Sequence, residues 1–241
     1  MENTINRTES MVISAENLAE LMSRNKIDID YVSDTFETDG KLYHVEVKRL
    51  YTYAELTEKA KEKARNWFFE DDARTYTFEE DCQTYLAEKF PSSELDVQFS
   101  LASCQGDGVN IYGRVWLSDI VKVLNFDGFT EKEKRFILWA VNEYDLGVKI
   151  PQNWRYCYCI ARQADFGAEL AEELEYHNMR GINEKALEKF DNACVELFED
   201  ICGEFEKNGY DYLYPDDDII AEECAANEWY FDNDGNMETR W

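Results

Sequence analysis

The chain has 241 residues, of which 52 are acidic and 25 basic, for a formal charge of −27. Such a surface repels phosphate backbones and anionic lipid, so direct nucleic-acid and membrane binding are not expected. With 44% apolar and 15% aromatic residues it still carries enough hydrophobic surface to fold as a globular protein.

Residues 1–12 read as a polar lead-in, and Met1-Glu2-Asn3-Thr4 has neither the basic nor the apolar stretch of a signal peptide. A short helix is predicted after Ser14, with Leu18, Leu21 and Met22 on its apolar side. Asp30–Glu37 and Leu42–Tyr51 alternate around Thr38-Asp39-Gly40 and predict a hairpin. Thr52-x-x-Glu55 is a capping box that predicts a helix to Asp72, and Thr77-x-x-Glu80 a second one to Phe90, stopped by Pro91. Strands are predicted over Leu95–Cys104 and Val109–Leu117, joined by the tight turn Gln105-Gly106-Asp107-Gly108. Thr130-x-x-Glu133 opens a further helix, and Trp154–Ala164 reads as a strand.

From Asp165 onward helices dominate, near 166–177, 182–207 and 216–227, before a hairpin around Asn233-Asp234-Gly235. The long segment repeats Leu187, Phe190, Cys194, Leu197, Ile201 and Phe205 at spacings of three and four, which predicts one buried stripe with acids on the other faces. Residues 165–241 hold 23 acids and five bases, so −18 of the −27 lies in this third. The expected fold class is α+β, an antiparallel sheet with flanking helices and an acidic helical C-terminal part. Three regions are expected: 1–50, a helix-plus-hairpin extension; 51–164, the α+β core; and 165–241, acidic and helical, ending in a hairpin.

Catalytic constellations are sparse. His44 and His177 are the two histidines, and no Walker-type or Gly-x-Gly-x-x-Gly loop occurs. The seven cysteines, Cys82, Cys104, Cys157, Cys159, Cys194, Cys202 and Cys224, are odd in number and contain no Cys-x-x-Cys pair. They read as reduced thiols in a cytoplasmic protein. Cys104 beside the glycine turn could serve as a nucleophile, but no histidine adjoins it, and a special hairpin accounts for the segment. Asp232-Asn233-Asp234-Gly235-Asn236 resembles the start of a calcium loop. A hairpin turn explains the same residues, so no metal or cofactor is expected. Asp216-Asp217-Asp218 suits a helix N-terminus.

Three segments, taken in order, carry a resemblance. They are Tyr51-Thr52-Tyr53-Ala54-Glu55-Leu56 with Ala60–Arg65, Ser103-Cys104-Gln105-Gly106-Asp107-Gly108-Val109, and Tyr212–Glu222 followed by Ala226–Phe231 and Asp234-Gly235. Over roughly residues 50–241 the chain resembles a widespread group of small phage and prophage accessory proteins. Asp216 departs from the Ser/Thr-Asp-Glu helix start of that group. The resemblance implies a mobile-element origin and, joined to the charge, a non-enzymatic inhibitor of anti-CRISPR or anti-restriction type in the cytoplasm of a bacterial host. Its expected partner is a basic surface of a Cas effector or restriction enzyme, engaged by Asp216, Asp217, Asp218, Glu222 and Glu223 with Glu196, Glu199 and Asp200. The alternatives are a cation-dependent hydrolase built on carboxylates, or a phage interaction protein whose acidity is incidental.

Overall fold

A computed structural model describes residues 31–38, 41–48, 50–70, 72–177 and 182–238, with backbone alone over 31–48. The helix expected after Ser14 and the C-terminal Arg240-Trp241 lie outside the described residues. In chain order the elements are β1 (Tyr31–Thr38), β2 (Lys41–Lys48), α1 (Glu58–Phe69), α2 (Asp72–Lys89), β3 (Glu94–Ser100), β4 (Gly108–Trp116), α3 (Leu117–Val123) and α4 (Glu131–Glu143). They continue as β5 (Gly147–Ile150), α5 (Phe166–Tyr176), α6 (Glu184–Leu213), α7 (Asp217–Ala226), β6 (Tyr230–Phe231) and β7 (Met237–Glu238). Among the described residues helices predominate beside one three-stranded antiparallel sheet and two hairpins, so the fold class is α+β.

Several expected boundaries move, each for a local reason. The Thr52 box does form, with the Glu55 carboxylate accepting from Thr52 N at 2.9 Å, but it closes only a 3-10 turn over Tyr53–Glu55. Leu56 is then extended, and the helix starts at Glu58 under a Thr57 cap that accepts from Ala60 N. Thr77 starts nothing: it lies inside α2 and its hydroxyl donates to Ala73 O at 3.0 Å. Thr130 caps α4 as its spacing predicts, accepting from Glu133 N at 3.2 Å. The expected strand 154–164 is an irregular loop ending in a 3-10 turn, Ala161–Gln163. The third strand of the sheet is instead β5, paired with β4 from Gly113↔Ile150 to Trp116↔Gly147.

The chain divides into two compact units, 1–71 with 215–241 and 72–214, so its seams do not fall at 50/51 and 164/165. In the smaller unit Tyr53, Leu56, Ala60, Ala64 and Phe68 bury against Ile220, Cys224 and Phe231. Tyr51 and Phe231 close it with a two-bond backbone bridge, 2.8 and 2.9 Å long. The 166–213 helices therefore share a core with the sheet, while 217–238 packs on the 53–68 segment.

In the larger unit, α6 buries Ala186, Phe190, Cys194, Val195, Phe198, Ile201, Cys202, Phe205 and Gly209, a stripe rotated slightly from the expected one. Leu187 and Leu197 are only half-buried. Phe198, fully buried, is stacked between Phe90 at 5.4 Å and Phe166 at 5.8 Å. Three elements meet at that one ring. Among the described residues two polar side chains, Asn110 and Asp119, are also fully buried, and both are hydrogen-bonded. Asp119 accepts from Ser92 N, Ser93 Oγ and Lys122 Nζ at 2.7–2.9 Å. Burial opposes its ionisation, but these bonds hold its carboxyl below the usual carboxylate range.

Replacing Phe198 by Ala removes a ring from a packed, three-way contact and should cost about 3–5 kcal/mol. Urea unfolding of Phe198→Ala and Phe198→Leu checks this, with the leucine variant retaining most of the stability. A loss in the alanine variant indistinguishable from that of a surface substitution would contradict this account of the core.

Candidate partner-binding site

The acids of α6 face outward because its apolar stripe faces in. Asn183 caps the helix, its Oδ1 accepting from Ala186 N at 2.9 Å. Between the first half of α6 and the segment after α3 runs a groove of about 490 Å³, with Leu124, Phe129 and Leu197 among its apolar lining. Its carboxylates are Asp127, Glu188, Glu196 and Asp200. Lys189, one of two lysines there, is occupied: its Nζ donates to Gly128 O at 2.8 Å and lies 3.4 Å from Glu133. Glu188 also lines a shallower hollow of about 280 Å³ with Asp165, Glu184 and Asp191. Asp191 is engaged there, accepting from Gly167 N at 2.9 Å.

The expected contact residues divide between the two units. Glu196 and Asp200 are exposed and line the groove together. Glu199, on the same helix, is held by Arg162, with Nε at 2.6 Å and Nη2 at 3.1 Å. That guanidinium keeps the Glu199 carboxyl below its ordinary range. In the smaller unit Asp216 caps α7, accepting from Asp218 N at 3.1 Å and Ile219 N at 3.0 Å. Asp217 accepts from the Tyr53 hydroxyl at 2.8 Å and lies 3.3 Å from Arg65 Nε. Burial, then Asp217 itself, push the Tyr53 hydroxyl up. Asp218 and Glu222 are exposed, and Glu223 is half-buried. Three of the eight expected contacts, Glu199, Asp216 and Asp217, thus have structural work inside the protein.

The Gln105–Gly108 segment is a turn organised by Asp107. This carboxylate accepts from Ser100 Oγ and Cys104 N at 2.7 Å, Cys104 Sγ at 3.0 Å and the Tyr210 hydroxyl of α6 at 3.3 Å. With the Cys104 thiol and N–H first among its donors, the Asp107 carboxyl is drawn down to about 2. The reciprocal effect raises Cys104, which is therefore kept as a thiol. Gly106 has φ 96°, and a Cβ there would lie 2.2 Å from the Tyr156 ring, so glycine is required twice over.

Tyr156 belongs to the 151–160 loop, which sequence periodicity misreads. Buried Asn110 on β4 holds both ends: its Nδ2 donates to Pro151 O at 3.3 Å and its Oδ1 accepts from Ile160 N at 3.1 Å. Gln98 Nε2 donates to Asn153 O at 2.9 Å, and Cys157 N to Gly106 O at 2.9 Å. Gln98 Oε1, buried there, accepts no hydrogen bond. Cys157 and Cys159 are half-buried in this loop. Cys82, Cys194, Cys202 and Cys224 are buried, and burial pushes the Cys82 thiol up to about 12.

The aspartates near the C-terminus form the hairpin turn. Asp232 Oδ1 accepts from Asp234 N and Asn236 N, both at 2.9 Å, and Oδ2 from Asn236 Nδ2 at 2.7 Å. Gly235 has φ 82°, with Ala60 O where a Cβ would project. Among the described residues no group of three or more His, Cys, Asp or Glu side chains is gathered to hold a metal ion. His177 ends α5, stacked on Tyr144 with ring centroids 4.5 Å apart, while the side chain of His44 lies outside the described atoms. No helix among the described residues is long and apolar enough to cross a membrane.

Fold and site together define an α+β protein of two compact units, the larger one carrying an acid-lined groove. No family model, curated protein or solved structure matches the chain.

Asp107 supplies a pH test of the turn. Its folded value of about 2 lies below the ordinary 3.8, so its ionised form favours the fold above about pH 4, and that contribution fades as pH falls towards 2. The urea-midpoint difference between wild type and Asp107→Asn should be constant above pH 4 and shrink on acidification. A difference independent of pH would remove Asp107 from this role.

Proposed function

We propose that the chain is a phage-derived, non-enzymatic inhibitor of a host nucleic-acid-targeting defence system, a decoy that lays carboxylates on a basic nucleic-acid-binding surface. The observation that carries this reading is the groove along α6, where Asp127, Glu188, Glu196 and Asp200 gather over an apolar lining. Exposed acids scattered for solubility alone need not converge on a concave surface. Here carboxylates rim a groove whose apolar lining suits the aliphatic stems of lysine and arginine. Negative potential concentrated in a concavity speeds encounter with a cationic surface by about 10- to 1000-fold, and salt screens it within about 10 Å at 0.1 M. The phage origin rests on the three-segment resemblance, and the Cas-effector or restriction-enzyme target on that origin joined to the charge. Of the expected contacts, Glu196 and Asp200 carry the proposal, with Glu188 added. Asp218, Glu222 and Glu223 are secondary, being on the other unit.

The test is capture from a bacterial lysate at low and at high salt, followed by a DNA-cleavage assay on the captured enzyme. The expected result is a Cas effector or restriction enzyme retained only at low salt and inhibited in cleavage. Substituting Glu188→Gln, Glu196→Gln and Asp200→Asn together should weaken retention by about tenfold or more and flatten its salt dependence. Binding that ignores both salt and these substitutions would make the acidity incidental. Chelator-sensitive hydrolysis by the purified protein would replace the proposal with a cation-dependent enzyme.

A further inference from the structure

Among the described residues the most exposed large apolar side chain belongs to the larger unit. Trp154 is 87% exposed at the tip of the 151–160 loop, and Tyr158, 47% exposed, stacks on Tyr156 with ring centroids 5.5 Å apart. Isolated exposed apolar residues are ordinary on protein surfaces. This one differs because the backbone beneath it is fixed. Asn153 Oδ1 accepts from Tyr156 N at 3.2 Å and its Nδ2 donates to Tyr158 O at 3.3 Å, in addition to the bonds from Asn110, Gln98 and Gly106. The glycines of the 105–108 turn are shaped to this loop: Tyr156 occupies the Cβ position of Gly106, and Tyr158 lies against Gly108. The protein therefore uses a buried asparagine, the Gln98 amide N–H and two φ-positive glycines to fix the backbone beneath an exposed indole.

We propose that this loop is the anchor of the protein–protein interface, with the Trp154 indole entering an apolar socket on the partner and the Tyr158 ring facing its arginine or lysine side chains. The inference rests on the reading of the chain as a binder of a basic protein. Tryptophan, tyrosine and arginine are the residues that dominate interface energetics, and a pre-ordered loop loses little freedom on binding. An aromatic face attracts cations, and the loop already shows this, with Arg155 Cζ 5.1 Å over the Tyr156 ring. Glu206 of α6, 3.5 Å from the Cβ position of Gly108, adds a carboxylate beside Tyr158. Nucleic-acid bases also stack on such rings, but a chain of −27 repels the phosphates attached to them. A second copy of this chain brings the same charge.

The experiment uses the full chain and two labelled probes, a peptide alternating arginine and leucine and a single-stranded oligothymidylate, with fluorescence anisotropy at low salt. Wild type should bind the peptide in preference to the oligonucleotide. Trp154→Ala should weaken peptide binding about tenfold or more, as truncation of an anchor does, with its circular dichroism unchanged and its salt slope preserved. Trp154→Phe should retain most of the affinity. No peptide binding by wild type, equal affinity of Trp154→Ala, tighter binding of oligothymidylate, or a loss that tracks dissociation of a dimer would each overturn the anchor. The groove substitutions keep the two readings apart. If they weaken binding while Trp154→Ala does not, only the anchor fails; if neither does, both fail.

Discussion

The larger unit depends on one buried ring. Phe198 of α6 stacks on Phe90, at the end of α2, and on Phe166, at the start of α5, so helices distant in sequence are fixed at a single point. Because α6 repeats every 3.6 residues, placing Phe198 inward dictates where every acid on that helix points. Glu188, Glu196 and Asp200 are surface groups for this reason, and Glu199, turned toward Arg162, is not available. The acidic face is thus a geometric result of the core and not a separate design.

The buried polar groups serve the same end. Asp119 ties the 92–93 turn to α3, and Asn110 ties the middle strand to the loop that carries Trp154. Each meets enough partners to avoid the roughly 1–3 kcal/mol that an unsatisfied buried group costs. Asp107 does comparable work nearer the surface, joining the β3–β4 turn to Tyr210 of α6. These contacts position the exposed aromatics relative to the groove-bearing helix, since all lie within one compact unit.

Much of this was legible from residue patterns, and the failures have physical causes. Thr130, the glycine turn at 105–108, the Asp216 cap and the C-terminal hairpin follow from local chemistry, and all form. Thr52-x-x-Glu55 and Thr77-x-x-Glu80 show the limit of such signals: a capping box can close a lone turn, or sit idle within a helix whose start is earlier. The 154–164 segment alternates like a strand, but its hydrogen bonds go to side chains of Asn110, Asn153 and Gln98. Backbone periodicity carries no trace of those partners. Phe198 was missed because a stripe of threes and fours through Leu197 is rotated only slightly from the true one. Composition identifies acids but not those already paired inside the protein; Asp217 with Tyr53 and Arg65 is the clearest case.

In the proposed complex the acids of the α6 groove meet basic side chains of a partner protein. Carbodiimide cross-linking of the complex formed at low salt, read by mass spectrometry, tests it directly, because only carboxylates touching a lysine amine form the zero-length bond. Cross-links from Glu188, Glu196 or Asp200 to partner lysines are expected. Cross-links confined to residues 216–223, or a stable complex with none from the groove, would contradict it.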